Sequence, residues 1–392
     1  MKTVALVSPD SSGHHQTYLR LFTQAVAEQG HAVVAFTPEP ADLLDWVSRA
    51  SPQLSGRVTA FALSYQRRYR VPGPLRVFFD KLAWVRFVGL QIRRRGVAPD
   101  LVFHTWLDNC LTPGLTAGLT DLFFPYRWSG IYFHPWYLRE PMQFAALRQG
   151  PLLNHDALRS SRCQAVAVLD EGSAPRLQAL LGDKPVIVFP DMADDSPPDP
   201  AFPPVMRIRA RAGGRKIVAL LGVLARRKGL LTLLEVARRA SREPWFFVFA
   251  GEFHADSFTA AEQTLIADFV RAEPDNCYFH FQRIPDEPQF NALVAVCDVL
   301  FAIYQHFLSS SNLLAKAALF EKPILVSERY CMGERVRSYG IGLAIPEDDA
   351  AACAAALSQL SAQLDHGGGP APANFAAYRQ AHSKARLRAA FA

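Results

Sequence analysis

Short apolar runs alternate along this chain with longer segments in which apolar residues recur every three or four positions. Residues 4–8 form the first such run, and a polar turn with Gly13 separates it from a helical pattern that ends near Gly30. Further runs of strand length occupy residues 31–37, 100–104, 128–133, 165–169 and 186–189. This alternation of strand, turn and helix predicts a largely parallel sheet covered by helices.

The pattern starts again after a proline-rich segment at residues 197–204, which cannot continue a helix or a central strand. Strands are predicted at 216–221, 245–250, 277–281, 299–303 and 323–327, with helical patterns between them. We therefore predict an N-terminal Rossmann-like domain at 1–200 and a second one at 201–370. A glycine-rich stretch then leads into a C-terminal helix at 371–392, which we expect to cross back to the first domain.

Composition supports two domains and narrows the class of protein. The chain has 392 residues, half of them hydrophobic, which is enough for two cores. Its six cysteines show no paired spacing, which favours a reducing, cytoplasmic setting over a disulfide framework or a zinc site. The first apolar run is too short for a signal peptide, and we expect no membrane-spanning segment. A net charge of +6 does not indicate a dedicated nucleic-acid binder, so no nucleic-acid partner is expected.

A serine-rich turn, residues 309–311, opens an apolar helix that ends before Pro323. The N–H groups and the positive dipole end of this helix would meet where an anion could sit, at Ser310, Ser311 and Asn312. The alternative is an ordinary helix cap, because serine and asparagine are favoured at that position in any helix.

The order of several local motifs resembles that of glycosyltransferase family 4. The matching segments are residues 100–106, 130–135, the Pro190-Asp191 pair, the loop 222–229, the turn 250–252 and the turn 282–284. The resemblance implies the GT-B architecture, in which two Rossmann-like domains face each other across a cleft. It also implies a nucleotide-sugar donor as co-substrate, with no other cofactor.

One departure from the family pattern is large. The family carries two glutamates in an E-x7-E motif across the serine-rich turn and its helix, and the second holds the donor ribose. Here Leu308 and Lys316 stand at those positions, and Val223 replaces the arginine of the basic loop. We expect Lys316 to face the donor, and either the donor carries an additional negative charge or Glu334, the nearest acid, contacts the ribose. The alternative is that donor binding has been reorganised or lost.

The resemblance assigns roles to further residues. The backbone at Gly222 and the side chains of Arg227 and Lys228 would hold the donor diphosphate, and Arg283 and Ile284 would lie by the nucleobase. In the first domain, Gly13 would let the turn approach the acceptor or the donor phosphate, and His14 or His15 would supply a polar lining. His134 would act next to the acceptor or the transferred sugar. No Asp-x-Asp pair is placed to hold a metal, so cations and N–H dipoles would stabilise the leaving group without one.

A segment at residues 67–95 mixes arginines and lysine with large apolar residues and contains one acid, Asp80. This composition resembles an interfacial surface and points to peripheral membrane contact and a lipid-linked acceptor. A buried helix whose arginines extend from its ends is the alternative.

The leading hypothesis is a glycosyltransferase that moves a sugar from a nucleotide-sugar donor to a saccharide or lipid-linked saccharide, with retention and without a metal, in glycan or polysaccharide biosynthesis. A catalytically silent GT-B protein that binds a saccharide or a partner is one alternative, favoured by the missing glutamates. A nucleotide-sugar epimerase is another, and it would convert the donor without an acceptor.

Overall fold

The computed structural model of the chain describes residues 1–11, 14–65, 74–140, 155–240, 244–365 and 374–391. Contacts divide the chain into two units. The N-terminal unit comprises Met1–Pro190 and the segment from Ser383 onward, and the C-terminal unit is Asp191–His382.

The N-terminal unit is a seven-stranded sheet with order β3-β2-β1-β4-β5-β6-β7, and all its neighbouring strands are parallel. Its strands are β1 (Thr3–Val7), β2 (Ala32–Thr37), β3 (Val58–Ala62), β4 (Leu101–His104), β5 (Trp128–Tyr132), β6 (Cys163–Val168) and β7 (Val186–Val188). Its helices are α1 (His14–Glu28), α2 (Pro40–Ala50), α3 (Pro74–Arg94), α4 (Ala117–Phe123) and α5 (Ala174–Leu181). The last helix of the chain, α14 (Lys384–Phe391), also belongs to this unit.

The C-terminal unit is a six-stranded parallel sheet with order β10-β9-β8-β11-β12-β13. Its strands are β8 (Lys216–Leu221), β9 (Trp245–Ala250), β10 (Cys277–His280), β11 (Val299–Ala302), β12 (Ile324–Ser327) and β13 (Gly342–Ile345). Its helices are α6 (Pro203–Ala212), α7 (Leu230–Arg239), α8 (Ala260–Arg271), α9 (Glu287–Val296), α10 (Asn312–Leu319), α11 (Tyr330–Tyr339), α12 (Ala350–Asp365) and α13 (Phe375–Ala381).

The central strands of both sheets are buried on their two faces, which explains why they are apolar runs without alternation. All six residues of β9 are at most 1% exposed. Such runs fit parallel strands covered by helices on both sides.

The boundary between the two units, as defined by the contacts, differs from the domain boundary predicted from the sequence pattern. We expected the first domain to extend to residue 200, but residues from Asp191 onward belong to the C-terminal unit. There the Asn291 side chain donates to the carbonyl of Ser196 at 2.7 Å, which holds the proline-rich segment against α9. The glycine-rich stretch at 367–370 lies outside the described residues.

The C-terminal helical pattern forms two helices rather than one. α13 belongs to the C-terminal unit, and α14 packs within the N-terminal unit. The ring of Phe391 lies 4.9 Å from that of Phe103 between centroids, and Arg388 pairs with Glu28 at 2.7 Å. In the part of the chain that the structure describes, no helix is long and apolar enough to cross a bilayer.

Candidate functional site

The candidate site of the C-terminal unit lies where the strand order reverses. β8 and β11 are neighbours, but the chain continues from β8 to β9 on one side and from β11 to β12 on the other. The loops after two such strands diverge and leave a crevice at the carboxyl ends, which is where open α/β sheets bind ligands. The basic loop 222–229 follows β8, and the segment 303–311 follows β11.

Close backbone contacts fix the basic loop. Gly222 has φ +96°, and its N–H donates to the carbonyl of Ala250 at 3.0 Å. A Cβ on Gly251 would lie 1.5 Å from the Gly222 oxygen, and one on Gly229 would lie 2.4 Å from the Ile303 oxygen. Larger residues at 229 and 251 would push the loop away from the ends of β9 and β11.

Lys228 is held against aromatic rings without a carboxylate partner in the described part of the chain. Its ammonium Nζ lies 3.5 Å from the centroid of Tyr304 and 5.4 Å from that of Phe307. Burial of this half-buried side chain, with a smaller contribution from the charge of Arg227, lowers the pKa of Lys228 to about 7. The cation–π contact only partly offsets the lost hydration, so a bound anion would stabilise the charged form.

The other two basic residues of the loop differ from each other. Arg227 is exposed, with its guanidinium 5.7 Å from the Phe307 ring, and it has no carboxylate partner among the described residues. Arg226 is paired with Glu262 at 2.9 Å. Two of the three cations therefore have no carboxylate partner among the described residues, and both lie by the Phe307 ring.

The serine-rich turn also contacts Tyr304. Ser311 caps α10, and its hydroxyl accepts from the N–H of Leu313 at 3.4 Å. Burial raises the pKa of the Tyr304 phenol to about 12, and this phenol hydrogen-bonds the Ser311 side chain. The backbone N–H groups of Ser310 and Ser311 donate to no acceptor within the described residues. Tyr304 thus connects the uncompensated ammonium of Lys228 with the capped end of α10.

The hydroxyl of Ser310 is occupied by a buried ion pair that sequence analysis missed. It donates to the carboxylate of Asp191 and accepts from Arg335 at 2.6 Å, while Arg335 donates to Asp191 at 3.1 Å. The side chains of Arg335 and Asp191 are only 3% and 2% exposed. His382 accepts from the Asp191 N–H at 3.0 Å, and burial lowers the pKa of His382 to about 4. Only the backbone N–H of Ser310 remains for a ligand.

Lys316 does not face a ligand, contrary to our expectation. Its side chain is fully buried, and its ammonium donates to Glu287 at 2.7 Å, to the carbonyl of Asp194 at 2.8 Å and to Asn291. These partners lie on α9 and on the segment that leads to α6. The reason is packing: every residue of α10 from Leu313 to Ala318 is buried, so the helix has no open face at Lys316.

The remaining predicted residues of the C-terminal unit lie further along the sheet. Arg283 is exposed and Ile284 packs on the core after β10, which is the edge strand two positions from β8. Glu334 is exposed on α11. Asn312 is the first residue of α10.

The N-terminal unit holds His134 at the carboxyl end of its sheet, just after β5. Its ring Nδ1 lies 2.9 Å from the Asp108 carboxylate, which also accepts from the backbone N–H groups of Phe133 at 3.0 Å and His134 at 3.1 Å. The imidazole is 38% exposed. Because Asp108 holds Nδ1–H, the neutral ring presents Nε2 as a proton acceptor. Asp108 lies in a one-turn helix after β4, and its place shortly after a predicted strand was the only sequence signal for it.

Aromatic rings surround His134. Trp106 stacks on Phe133 with centroids 3.7 Å apart and lies 5.7 Å from the His134 ring. His15, on α1, lies 4.1 Å from Trp106 between ring centroids. Gly13 and the side chain of His14, which we predicted to line this side, lie outside the described residues, and His14 is known only as the first residue of α1.

No protein-family model matches this sequence, and a search of curated proteins finds no match either. Solved structures do resemble the chain. The Anabaena protein HepE in complex with UDP has a TM-score of 0.68 at 14% identity, and the match covers 100% of this chain and 98% of HepE. Sucrose-phosphate synthase from Thermosynechococcus elongatus has a TM-score of 0.69 at 16% identity, covering 100% of this chain and 97% of that enzyme.

The α,α-trehalose 6-phosphate synthase of Burkholderia multivorans has a TM-score of 0.67 at 13% identity, covering 100% of this chain and 95% of that enzyme. These identities are low, so the likeness concerns the fold. The two parallel-sheet units, with seven and six strands, match those of GT-B glycosyltransferases. The fold of the chain is therefore GT-B, whereas its place in family 4 stays a prediction.

Proposed function

We propose that this protein is a glycosyltransferase that uses a nucleotide-sugar donor. The observation that carries the proposal is the pair of uncompensated cations, Lys228 and Arg227, at the switch point of the C-terminal sheet. Two further crystal structures of HepE, with UDP and glucose and with UDP-glucose, share the fold over the whole of this chain. A diphosphate is the part of such a donor that this arrangement suits.

The proposed chemistry is stabilisation of the leaving diphosphate. As the bond between the sugar and the diphosphate breaks, negative charge grows on the phosphate oxygens. The ammonium of Lys228 and the guanidinium of Arg227 would meet that charge, and the N–H groups of Ser310 and Ser311 would donate to the same group. We propose that these groups act without a metal ion, and that transfer proceeds with retention, as the resemblance to family 4 implies.

We assign the acceptor to the N-terminal unit. His134 is the residue best placed to contact it, because Asp108 fixes the ring through Nδ1 and leaves Nε2 for a hydroxyl. The hydroxyl would belong to the acceptor or to the transferred sugar. Asp108 acts here as a positioning residue, since it contacts His134 and the backbone of β5 rather than the reacting groups.

We further propose that α3 lies on an anionic membrane and that the acceptor is lipid-linked. The exposed residues of this helix are apolar or basic: Leu75, Arg76, Val77, Phe79, Leu90, Arg86, Arg93 and Arg94. Its one acid, Asp80, is half-buried and lies 3.8 Å from Arg76. Exposed apolar side chains among exposed arginines suit an anionic bilayer surface. The arginines at 67, 68 and 70, which the sequence pattern included, lie outside the described residues.

Vesicle sedimentation tests the membrane proposal. The protein should bind vesicles that contain phosphatidylglycerol and bind pure phosphatidylcholine much less. Arg86→Glu with Arg93→Glu should abolish the difference, whereas Arg207→Glu with Arg209→Glu, on exposed positions of α6, should preserve it. Equal binding to both vesicle types would contradict the proposal.

A thermal-shift screen over nucleoside diphosphates and nucleotide sugars tests the donor site, because a ligand that binds the native state raises the melting temperature. We expect a shift with at least one of them, lost in Lys228→Gln and kept in Lys216→Gln, since Lys216 is paired with Asp365 at the start of β8. Sugar transfer is then measured with the best donor. Failure of every nucleotide to shift the melting temperature would contradict the proposal.

One observation favours a catalytically silent GT-B protein as the second candidate. In the family that the sequence resembles, the position of Lys316 carries the glutamate that holds the donor ribose, and here that position is sealed by packing. The same screen separates the candidates: binding of a nucleotide sugar without transfer to any acceptor identifies the silent protein. Donor conversion without an acceptor identifies an epimerase.

A further inference from the structure

Three side chains from distant parts of the C-terminal unit meet at the serine-rich turn. The hydroxyl of Ser310 donates to the carboxylate of Asp191. One nitrogen of Arg335, Nη1, donates both to that hydroxyl at 2.6 Å and to the carboxylate at 3.1 Å. Asp191 is the first residue of the unit, Ser310 lies just before α10, and Arg335 belongs to α11. The three groups thus form a closed set of hydrogen bonds that only the tertiary fold brings together.

The ion pair in this set is costly to bury. The side chains of Arg335 and Asp191 are almost completely removed from water. The hydration that two such ions lose commonly exceeds what their attraction returns, and apolar side chains of similar volume often give an equally stable core. Stability alone is therefore a weak reason for an ion pair at this place. The pair also binds the hydroxyl of Ser310, which apolar side chains could not do.

Asp191 is also held through its backbone. Its N–H donates to Nδ1 of His382 at 3.0 Å, and the His382 ring packs on that of Tyr378 in α13, with centroids 4.3 Å apart. Nδ1 accepts this bond only while it is unprotonated. Because burial lowers the pKa of His382 to about 4, the bond persists at neutral pH. The carboxylate is therefore a fixed acceptor for the serine.

The hydroxyls of the turn are bonded to protein groups, but two of its N–H groups are not. The Ser310 hydroxyl is used in the ion pair, and that of Ser311 is bonded to Tyr304 and to the N–H of Leu313 at 3.4 Å. The backbone N–H groups of both serines donate to no acceptor within the described residues. The side chains thus fix the turn while its N–H groups stay available to an anion. Donors that are fixed before a ligand arrives lose little freedom when it binds.

We propose that Asp191 and Arg335 are positioning residues for the donor diphosphate, because they hold Ser310 so that the N–H groups of the serine-rich turn meet the phosphate oxygens. Neither side chain contacts the donor, since both are buried. The inference rests on the proposed function, because it concerns the same diphosphate site. A pair that only joins α11 to the start of the unit would stabilise the fold without affecting affinity, and the experiment separates these two roles.

Titration calorimetry with UDP, ADP and GDP, each compared with its parent nucleoside by NMR titration, tests the proposal. Asp191→Asn keeps the shape of the side chain but removes its charge, and Ser310→Ala removes the hydroxyl. Each should raise the Kd of the diphosphate that the wild type binds best about tenfold, and that of its nucleoside less than about twofold, because the turn meets only the phosphates. The double variant should bind like the weaker of the two single variants, because both changes break the same bond.

Glu287→Gln is the matched control. It also removes a carboxylate charge from a pair with a buried cation, since Glu287 lies 2.7 Å from the ammonium of Lys316. Lys316 belongs to α10, the helix that the serine-rich turn opens, but lies about one turn further along it. This variant should lower the melting temperature and leave the Kd of the diphosphate within about twofold of the wild-type value.

Thermal melting first establishes that each variant is folded. The proposal is overturned if Asp191→Asn and Ser310→Ala bind diphosphates like the wild type, if they weaken the nucleoside equally, if their effects add in the double variant, or if Glu287→Gln weakens binding as much. Should Asp191→Asn not fold, Ser310→Ala is compared with Ser310→Thr, which keeps the hydroxyl and should bind like the wild type; equal binding by these two overturns the proposal. A wild type that binds none of the three diphosphates contradicts the proposed function itself, whereas unchanged binding in folded variants removes only the positioning role.

Discussion

The pKa of Lys228 makes donor binding depend on pH in a defined way. In the free protein this pKa is about 7, so about half of the molecules carry the ammonium at pH 7, about a tenth at pH 8 and about a hundredth at pH 9. A bound diphosphate stabilises the ammonium and raises its pKa, so binding takes up a proton. The terminal phosphate itself ionises near pH 6 and stays charged over this range.

The size of the expected change in Kd follows from the fraction of protonated Lys228 at each pH. If only the protonated form binds well, the Kd should rise about fivefold from pH 7 to 8 and about tenfold more from pH 8 to 9. Isothermal titration calorimetry with UDP, or with the best nucleotide of the screen, measures it. Repeating the titration in two buffers of different ionisation enthalpy should show about half a proton taken up at pH 7.

Three variants isolate the group responsible. Lys228→Gln should bind more weakly at pH 7 and show a flat profile up to pH 9. Arg227→Gln removes the neighbouring charge that lowers the pKa of Lys228. The pH at which the Kd begins to rise should therefore be higher in this variant. Lys216→Gln should keep the wild-type slope. A flat wild-type profile, or a slope that persists in Lys228→Gln, would refute the assignment.

The stability of the ligand-free protein gives an independent check, because it should rise with pH whereas the affinity for the donor falls. The lysine keeps its ordinary pKa near 10.4 in the unfolded chain, so between about pH 7 and 10 the unfolded state binds more protons than the folded state. The free energy of unfolding should therefore rise with pH over that window through this residue. Lys228→Met should remove the rise and be more stable than wild type below pH 7, because the buried charge is gone.

Three further predictions concern the residues around the two sites. Asp191→Ala should lower the free energy of unfolding, measured by chemical denaturation, by about 3–5 kcal/mol, because it leaves the Arg335 guanidinium buried without its partner. Asp275→Ala breaks an exposed pair and should lower it by less than about 1 kcal/mol. Equal losses in the two variants would contradict the burial argument. Lys316→Glu should lower the melting temperature by placing two carboxylates together at Glu287 and leave donor choice unchanged, and a changed donor preference in a folded variant would place Lys316 at the ligand after all. His134→Ala should reduce turnover about 10²–10⁴-fold with donor Kd unchanged, and full activity would make the ring structural.

The sheets could be predicted from sequence because burial on both faces leaves little choice of residue. The run Trp245–Ala250 has no polar position, so it fits only a fully covered strand. The basic loop was predictable for a related reason: Lys228 and Gly229 stand directly before a helix that follows a buried strand, and the turn there must bring its side chains to the sheet edge.

Contacts between distant segments could not be predicted in this way. Asp191 and Arg335 are 144 residues apart, and neither periodicity nor spacing links the turn after β7 to the helix after β12. The same holds for Asp108 and His134, which become partners only because β4 and β5 are neighbours in the sheet.

Lys316 shows where a motif and local composition disagree. Position in the family pattern put it at the donor, but its neighbours along α10, Leu314, Ala315, Ala317 and Ala318, are apolar on every side. A helix without a polar face is a buried helix, and a lysine inside it must find its partners in the interior. Glu287 on the adjacent α9 supplies the carboxylate. A buried ion pair therefore stands at the position where the family that the sequence resembles has a glutamate that binds the donor. If the protein does bind a nucleotide sugar, the ribose must then be held by groups other than residue 316, and the exposed Glu334 on α11 is the first to test by substitution.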